Sequence, residues 1–136
     1  MSVELAKSAG FCYGVKRAVE MAEQAARSGG AVLLGPVIHN DHVVSKLERE
    51  GAVLVRTVEE VPPGAAVILR SHGEARRVHE ALAEKGCRIV DTACPNVQRI
   101  HRLVAEAEEA GRQPVIIGTP DHPEIVAIAG WCSHPV

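Results

Sequence analysis

Apolar positions along this chain follow two alternating patterns. Short unbroken runs occur at Ala31-Val32-Leu33-Leu34, Ala52-Val53-Leu54-Val55, Ala65-Ala66-Val67-Ile68-Leu69, Cys87-Arg88-Ile89-Val90 and Pro114-Val115-Ile116-Ile117. Near-continuous apolar runs of this length read as strands covered on both faces. Val3-Glu4-Leu5-Ala6-Lys7 alternates in part and predicts one more strand at the N-terminus. Between the runs, apolar residues recur at helical spacing. Val15, Ala18, Val19, Ala22 and Ala25 mark a helix over 14–28, and Val43, Val44 and Leu47 mark a short one capped by Asn40 or Asp41. Val78, Ala81 and Leu82 mark a third helix. Val97, Ile100, Val104 and Ala107 mark a fourth after Pro95, and a short stretch over 125–129 a fifth. Gly29-Gly30, Gly51, Gly86 and Gly111 stand where helices stop, and Pro62-Pro63-Gly64 is a turn.

Strands alternating with helices predict an α/β fold built on a parallel sheet. The order of elements divides the chain into a first α/β unit over 1–95 and, over 96–136, the first part of a second, similar unit. That second part, as far as the sequence runs, is helix, strand, short helix and then Trp131-Cys132-Ser133-His134-Pro135-Val136.

Composition narrows the function. Hydrophobic residues make up 46% and charged residues 24% of the 136, the balance of a globular domain rather than a disordered segment. Aromatics are 2%, namely Phe11, Tyr13 and Trp131, too few for a platform that stacks single-stranded nucleic acid. The net charge of −2 comes without a basic block, so the footprint of a nucleic-acid binder is missing. No run approaches the ~18 apolar residues of a membrane span, and Met1-Ser2-Val3-Glu4-Leu5 does not read as a secretory leader. The expectation is a cytoplasmic protein with no membrane partner, whose cysteines Cys12, Cys87, Cys94 and Cys132 stay reduced.

Reactive side chains collect at one kind of place. In open α/β sheets, ligands bind beyond the carboxyl ends of the strands. Five predicted strand-to-helix junctions carry such groups: Phe11-Cys12-Tyr13-Gly14, Val37-Ile38-His39-Asn40, Arg70-Ser71-His72-Gly73, Asp91-Thr92-Ala93-Cys94-Pro95 and Pro120-Asp121-His122-Pro123-Glu124. A thiolate before a helix is favoured by the helix dipole, which suits Cys12 and Cys94 to metal ligation; a lone cysteine there is as readily structural. Cys87 lies within a strand run and reads as a small core residue. His39, His72 and His122 are either solvated loop histidines or, as imidazolium donors at one rim, a site for a phosphate or diphosphate. His42, His79, His101 and His134 lack that placement and read as surface or core-edge residues. Glu124 is either an ordinary first-turn acid or a proton donor in a closed site. Walker, G-x-G-x-x-G, C-x-x-C and H-E-x-x-H patterns are all missing.

These motifs resemble a known family. Ala6-Lys7-Ser8-Ala9-Gly10-Phe11-Cys12-Tyr13-Gly14-Val15-Lys16-Arg17-Ala18 is similar to the opening of 4-hydroxy-3-methylbut-2-enyl diphosphate reductase, the last enzyme of the methylerythritol phosphate route to isoprenoids. Gly35-Pro36-Val37-Ile38-His39-Asn40, Arg70-Ser71-His72-Gly73, Asp91-Thr92-Ala93-Cys94-Pro95 and His122-Pro123-Glu124 are similar to its later motifs, in the same order. The resemblance implies a 4Fe–4S cluster held by three cysteines, with Cys12 and Cys94 matching two of them and the third cysteine absent from this chain; Cys132 does not match it. It implies diphosphate binding by His39, His72 and His122, and proton relay to the substrate hydroxyl by Glu124. The implied reaction is reductive dehydroxylation to isopentenyl and dimethylallyl diphosphate, with a ferredoxin or flavodoxin as electron donor; the expectation is that this chain is an N-terminal portion, inactive alone. Two other readings stand beside it. One is a non-catalytic diphosphate- or metal-binding remnant; the other is a zinc site of Cys12, Cys94 and a rim histidine.

Overall fold

The structure, a computed structural model, describes residues 2–136. Its elements in chain order are α1 (Tyr13–Arg27), β1 (Ala31–Leu34), α2 (Asp41–Arg49), β2 (Ala52–Val55), β3 (Ala66–Ile68), α3 (Arg76–Glu84), β4 (Arg88–Val90), α4 (Pro95–Glu109) and α5 (Pro123–Ala129). The four strands form one parallel sheet in the order β2-β1-β3-β4. All four runs inside the first unit therefore pair as the apolar pattern predicts.

β1 is buried along its whole length, and its side chains alternate between two cores. Leu33 faces Ile68, Leu47 of α2 and a row of α1 residues, Ala18, Ala22, Ala25 and Ala26. Alanine on that row lets α1 lie close to the sheet. Val32 and Leu34 face the other way, onto Val67, Leu69, Val61 and Leu82 of α3. Each leucine buried this way contributes about 1.5–3 kcal/mol. No helix covers the β2–β3 connection. Its loop is instead gathered by Lys85, whose Nζ donates to the carbonyls of Val58 (2.6 Å), Glu59 (3.2 Å) and Val61 (3.0 Å).

Two predicted strands do not form. Val3-Glu4-Leu5-Ala6-Lys7 has no partner strand among the described residues, and Val3 and Leu5 are 97% and 87% exposed. Pro114-Val115-Ile116-Ile117 is irregular apart from two hydrogen bonds, Ile116 N–H to Val136 O (2.7 Å) and Val136 N–H to Pro114 O (3.1 Å). Those two bonds have the pattern of a parallel pair but are too few to make a ladder. The junctions that carry Cys12 and His122 are therefore helix starts that no strand precedes.

The ends of β1 and β3 set the site. The crossover from β1 leads outward to β2 on one side, and that from β3 outward to β4 on the other. The carboxyl ends of β1 and β3 thus flank the point where the strand order reverses, the place where a crevice opens in such sheets.

Candidate functional site

Three rim loops are joined through the backbone of one residue. Ser71 N–H donates to Val37 O at 2.9 Å, and Ser71 O accepts from Cys94 N–H at 2.9 Å. The loop after β1 that bears His39, the loop after β3 that bears His72, and the loop after β4 that ends in Cys94 are therefore held side by side. The β4 loop is braced further. Thr92 Oγ1, fully buried, donates to Leu69 O at 2.6 Å, and Asp91 accepts from Ala93 N–H at 2.9 Å and from Gln98 Nε2 at 3.1 Å.

Cys12 and Cys94 occupy matching positions, each the N-cap of a fifteen-residue helix. Neither uses its sulfur to cap its helix, so both thiols remain available. Cys12 is exposed and Cys94 half-buried. The two helix starts touch. A Cβ placed on Gly14 would lie 2.7 Å from Cys94 Sγ, and Arg17 of α1 donates to Ala93 O at 3.4 Å. Two thiols at two helix N-termini, with a glycine making room for one of them, fit the donor set of an iron–sulfur group. Among the described residues no three His, Cys, Asp or Glu side chains gather closely enough to hold a metal ion, so the zinc arrangement of Cys12, Cys94 and a rim histidine is not formed.

The histidines come together. The His39 and His72 rings stack with centroids 6.0 Å apart and planes 16° from parallel. His72 also feels the charge of His122, which starts α5. His122 Nδ1 accepts from Glu124 N–H at 3.3 Å, which leaves Nε2 as the protonated nitrogen and a donor. Glu124 is half-buried in the first turn of α5. Both ring nitrogens of His72 are shut off from solvent and have no hydrogen-bond partner, which is costly unless a ligand or water meets them.

One sequence expectation changes here. Burial first, then the nearby Arg70 charge, lowers the His72 pKa from 6.5 to about 4; His39 and His122 add to the effect, and the Gly73 peptide opposes it. His72 is therefore a neutral imidazole near pH 7, not an imidazolium, and donates a single N–H. The sign for stability follows. The unfolded chain takes up the His72 proton near 6.5 while the folded chain resists it to about 4, so stability is full above pH 6.5 and declines as pH falls toward 4. Because the residue as a whole is only partly buried, the effect is reduced to about 1–2 kcal/mol. His101 is lowered by burial too and adds in the same direction. Urea unfolding at pH 7.5 and 4.5 is expected to show this decline, and His72→Gln to shrink it. A His72→Gln chain with an unchanged pH slope would mean the ring is not held neutral.

Sequence reasoning missed four residues near the site. Arg70 and Glu74 form an ion pair at 2.5 Å beside His72; the R-S-H-G-E spacing was its only trace. His101, read as surface or core edge, is 4% exposed and stacks on Trp131 with centroids 5.2 Å apart. Trp131 also lies under Arg76, meets His79 edge-on and donates from Nε1 to Glu74 O at 2.9 Å. Nothing in the local sequence marks such a junction. Cys87 is half-buried against the second core, and Cys132 is held high in pKa by burial and by Glu108.

Residues 3–136 match the family described as LytB protein. The chain is 40% identical over 136 residues to the 4-hydroxy-3-methylbut-2-enyl diphosphate reductase of Clostridioides difficile (strain 630), covering 98% of this chain and 49% of that protein. It is 42% identical to the protein of the same name from Geotalea uraniireducens (strain Rf4), covering 100% of this chain and 48% of the relative. The chain spans about half the length of the curated relatives it matches. Among solved structures, the E-1-hydroxy-2-methyl-but-2-enyl-4-diphosphate reductase from Plasmodium falciparum superposes with a TM-score of 0.86 at 30% identity, over 96% of this chain and 42% of that one. A structure of (E)-4-hydroxy-3-methyl-but-2-enyl diphosphate reductase, the terminal enzyme of the non-mevalonate pathway, gives 0.79 at 39% identity, over 93% and 45%.

Proposed function

Because the chain belongs to the LytB family, we propose that it supplies the diphosphate-binding rim and two cluster cysteines of a 4-hydroxy-3-methylbut-2-enyl diphosphate reductase. The observation that carries this reading is the Ser71 backbone, whose N–H and C=O tie the His39 loop and the Cys94 loop to the loop that bears His72. A substrate held by its diphosphate at the histidines would then keep its allylic end close to Cys94, an orientation effect that enzymes use heavily. The sequence division at residue 95 belongs to the same proposal: the first unit binds, and α4 onward begins a second unit that brings His122 and Glu124 to the rim.

Each residue has one task. His72 and His122 donate N–H groups to the diphosphate oxygens, His122 from Nε2 because its Nδ1 already accepts from Glu124 N–H. His39, stacked on His72, closes the same anion site. Cys12 and Cys94 hold the metal group as thiolates. When bound, a 4Fe–4S cluster supplies electrons singly and Lewis-acid polarisation of the departing hydroxyl. Glu124 passes a proton to that hydroxyl so that it leaves as water. The balance is R–OH + 2e⁻ + 2H⁺ → R–H + H₂O, with the electrons from a ferredoxin or flavodoxin.

Calorimetry with inorganic pyrophosphate tests the anion site. His39→Ala and His72→Ala are each expected to cost ~1.5–3 kcal/mol, the worth of a hydrogen bond to a charged group. Glu124→Gln is expected to leave that affinity in place and, in an anaerobically reconstituted protein of the relatives' full length assayed with dithionite and a viologen, to slow turnover by ~10²–10⁴-fold. Equal pyrophosphate affinity in wild type and both histidine variants would remove the anion site. Pyrophosphate binding without any turnover, even in a reconstituted protein of the relatives' full length, would favour the non-catalytic binding module.

A further inference from the structure

Arg70 stands outside every role given above, yet it occupies the centre of the rim. It follows β3 and reaches sideways across the end of β1. A Cβ on Gly35, whose φ is +74°, would lie 3.1 Å from Arg70 Cδ and 3.2 Å from Nε, so only a glycine in this left-handed turn leaves room for the side chain. From there Nε donates to Glu74 Oε1 at 2.5 Å, its only hydrogen bond among the described residues, which leaves the Nη donors unspent. Glu74 is itself 8% exposed and anchored, since its carbonyl accepts from Trp131 Nε1. Arg70 and Glu74 line a cleft of about 330 Å³ together with His72 and with Pro123, the neighbour of His122. One side chain thus touches the β1 loop, is pinned by the β3 loop, and shares its cleft with the start of α5.

We propose that Arg70, locked by Glu74, is a positioning residue that holds the His39 and His72 loops at their working spacing and places a fixed positive charge beside the His72 ring. The proposal rests on the reading of His39, His72 and His122 as a diphosphate site. The physical reason is economy of charge. A cation fixed beside a buried imidazole makes protonation of that imidazole unfavourable. The site then keeps one hydrogen-bonding pattern across the pH range in which free histidine titrates, and Arg70 supplies the positive field that the neutral ring does not. Arg70 from its own loop, His39 from the β1 loop and His122 from α5 all oppose protonation of His72, and Glu74 of its own loop and Arg77 of α3 line the same cleft. The ion pair also explains why the charge is not lost to solvent, because the buried Glu74 holds the guanidinium in one place.

The test uses the 136-residue chain, following the His72 ring by NMR and inorganic pyrophosphate by calorimetry. Arg70→Met is expected to raise the His72 titration midpoint toward that of free histidine, and to weaken pyrophosphate by about tenfold at pH 7.5. Arg70→Lys, which keeps the charge, is expected to restore most of both. Glu74→Gln unpairs the guanidinium and is expected to move the His72 midpoint the opposite way, downward. Opposite signs from two neighbouring substitutions do not arise from general loosening of the fold. If Arg70→Met leaves both the His72 midpoint and the affinity within about twofold of wild type, Arg70 has no positioning role. If both substitutions move the midpoint upward together, the effect is loosening and the proposal fails. A wild-type chain that binds no pyrophosphate overturns the diphosphate site, whereas unchanged His72 midpoints in the variants of a chain that does bind it overturn the role of Arg70 alone.

Discussion

Gly73→Ala is expected to destabilise the chain by about 2–5 kcal/mol, a large part of a typical folding free energy. Two costs add. Gly73 has φ +81°, where an L side chain costs roughly 1–2 kcal/mol. The new methyl would also lie 2.4 Å from His101 Cε1 and 3.3 Å from Val97 Cγ1. The imidazole cannot step aside, because its other face stacks on Trp131 and the ring is almost wholly buried. Overpacking of this kind costs ~1–3 kcal/mol. Calorimetric unfolding checks the total, and His101→Ala checks the cause. His101→Ala alone opens a cavity and destabilises; combined with Gly73→Ala it vacates the space that the methyl needs. The pair is therefore expected to be less destabilised than the sum, with a coupling of about 1–3 kcal/mol. Strict additivity would show that the clash is not the cause. Because Gly73 follows His72 directly, the same substitution is expected to weaken pyrophosphate binding even where the chain still folds.

That junction shows where sequence reading stops. The four strands of the first unit were legible because continuous apolar runs have one common explanation, burial on both faces, and Leu33 and Val32 meet it from opposite sides of β1. Asn40 was legible as a cap because its side chain does what the residue type suggests and accepts from Val43 N–H at 3.2 Å. Val3–Lys7 and 114–117 carry the same apolar character and fail. β-propensity describes fitness for a sheet surface, and neither segment finds a sheet to join among the described residues. His101 and Trp131 were illegible for the reverse reason. Their burial depends on α4, α5 and the His72 loop meeting, a fact of tertiary packing that leaves no periodic trace.

The candidate site was legible in its parts and not in its connections. Histidine and cysteine at matching junctions pointed to one rim, but which loops touch was decided by Ser71, through backbone groups that every sequence carries. The charge state of His72 was likewise hidden, since it depends on burial and on a neighbour two residues away whose side chain folds back across Gly35. Arg70 and Glu74 are ordinary charged residues on paper. Only their enclosure makes them part of the site.

Gly14→Ala is expected to separate stability from metal binding. Gly14 is the second residue of α1, where alanine is intrinsically preferred to glycine by about 0.5–1 kcal/mol, so the helix itself gains. The added methyl would sit 2.7 Å from Cys94 Sγ and 3.1 Å from Cys94 Cβ. The sulfur can rotate away at modest cost, but the Cβ sits on a backbone held by Ser71 O and by the Asp91–Ala93 bond, so the thiol must change its direction. A ligand turned from its working orientation loses affinity for metal while the fold survives. Alterations next to metal ligands typically cost about 10–100-fold in metal affinity. The expected outcome is a melting temperature equal to or above wild type, iron retention after anaerobic reconstitution reduced by that factor, and a changed alkylation rate at Cys94 in the metal-free chain. Iron retention equal to wild type, with an unaltered Cys94 alkylation rate, would show that the close approach of Gly14 to Cys94 sets only the packing of two helices and not the direction of a ligand.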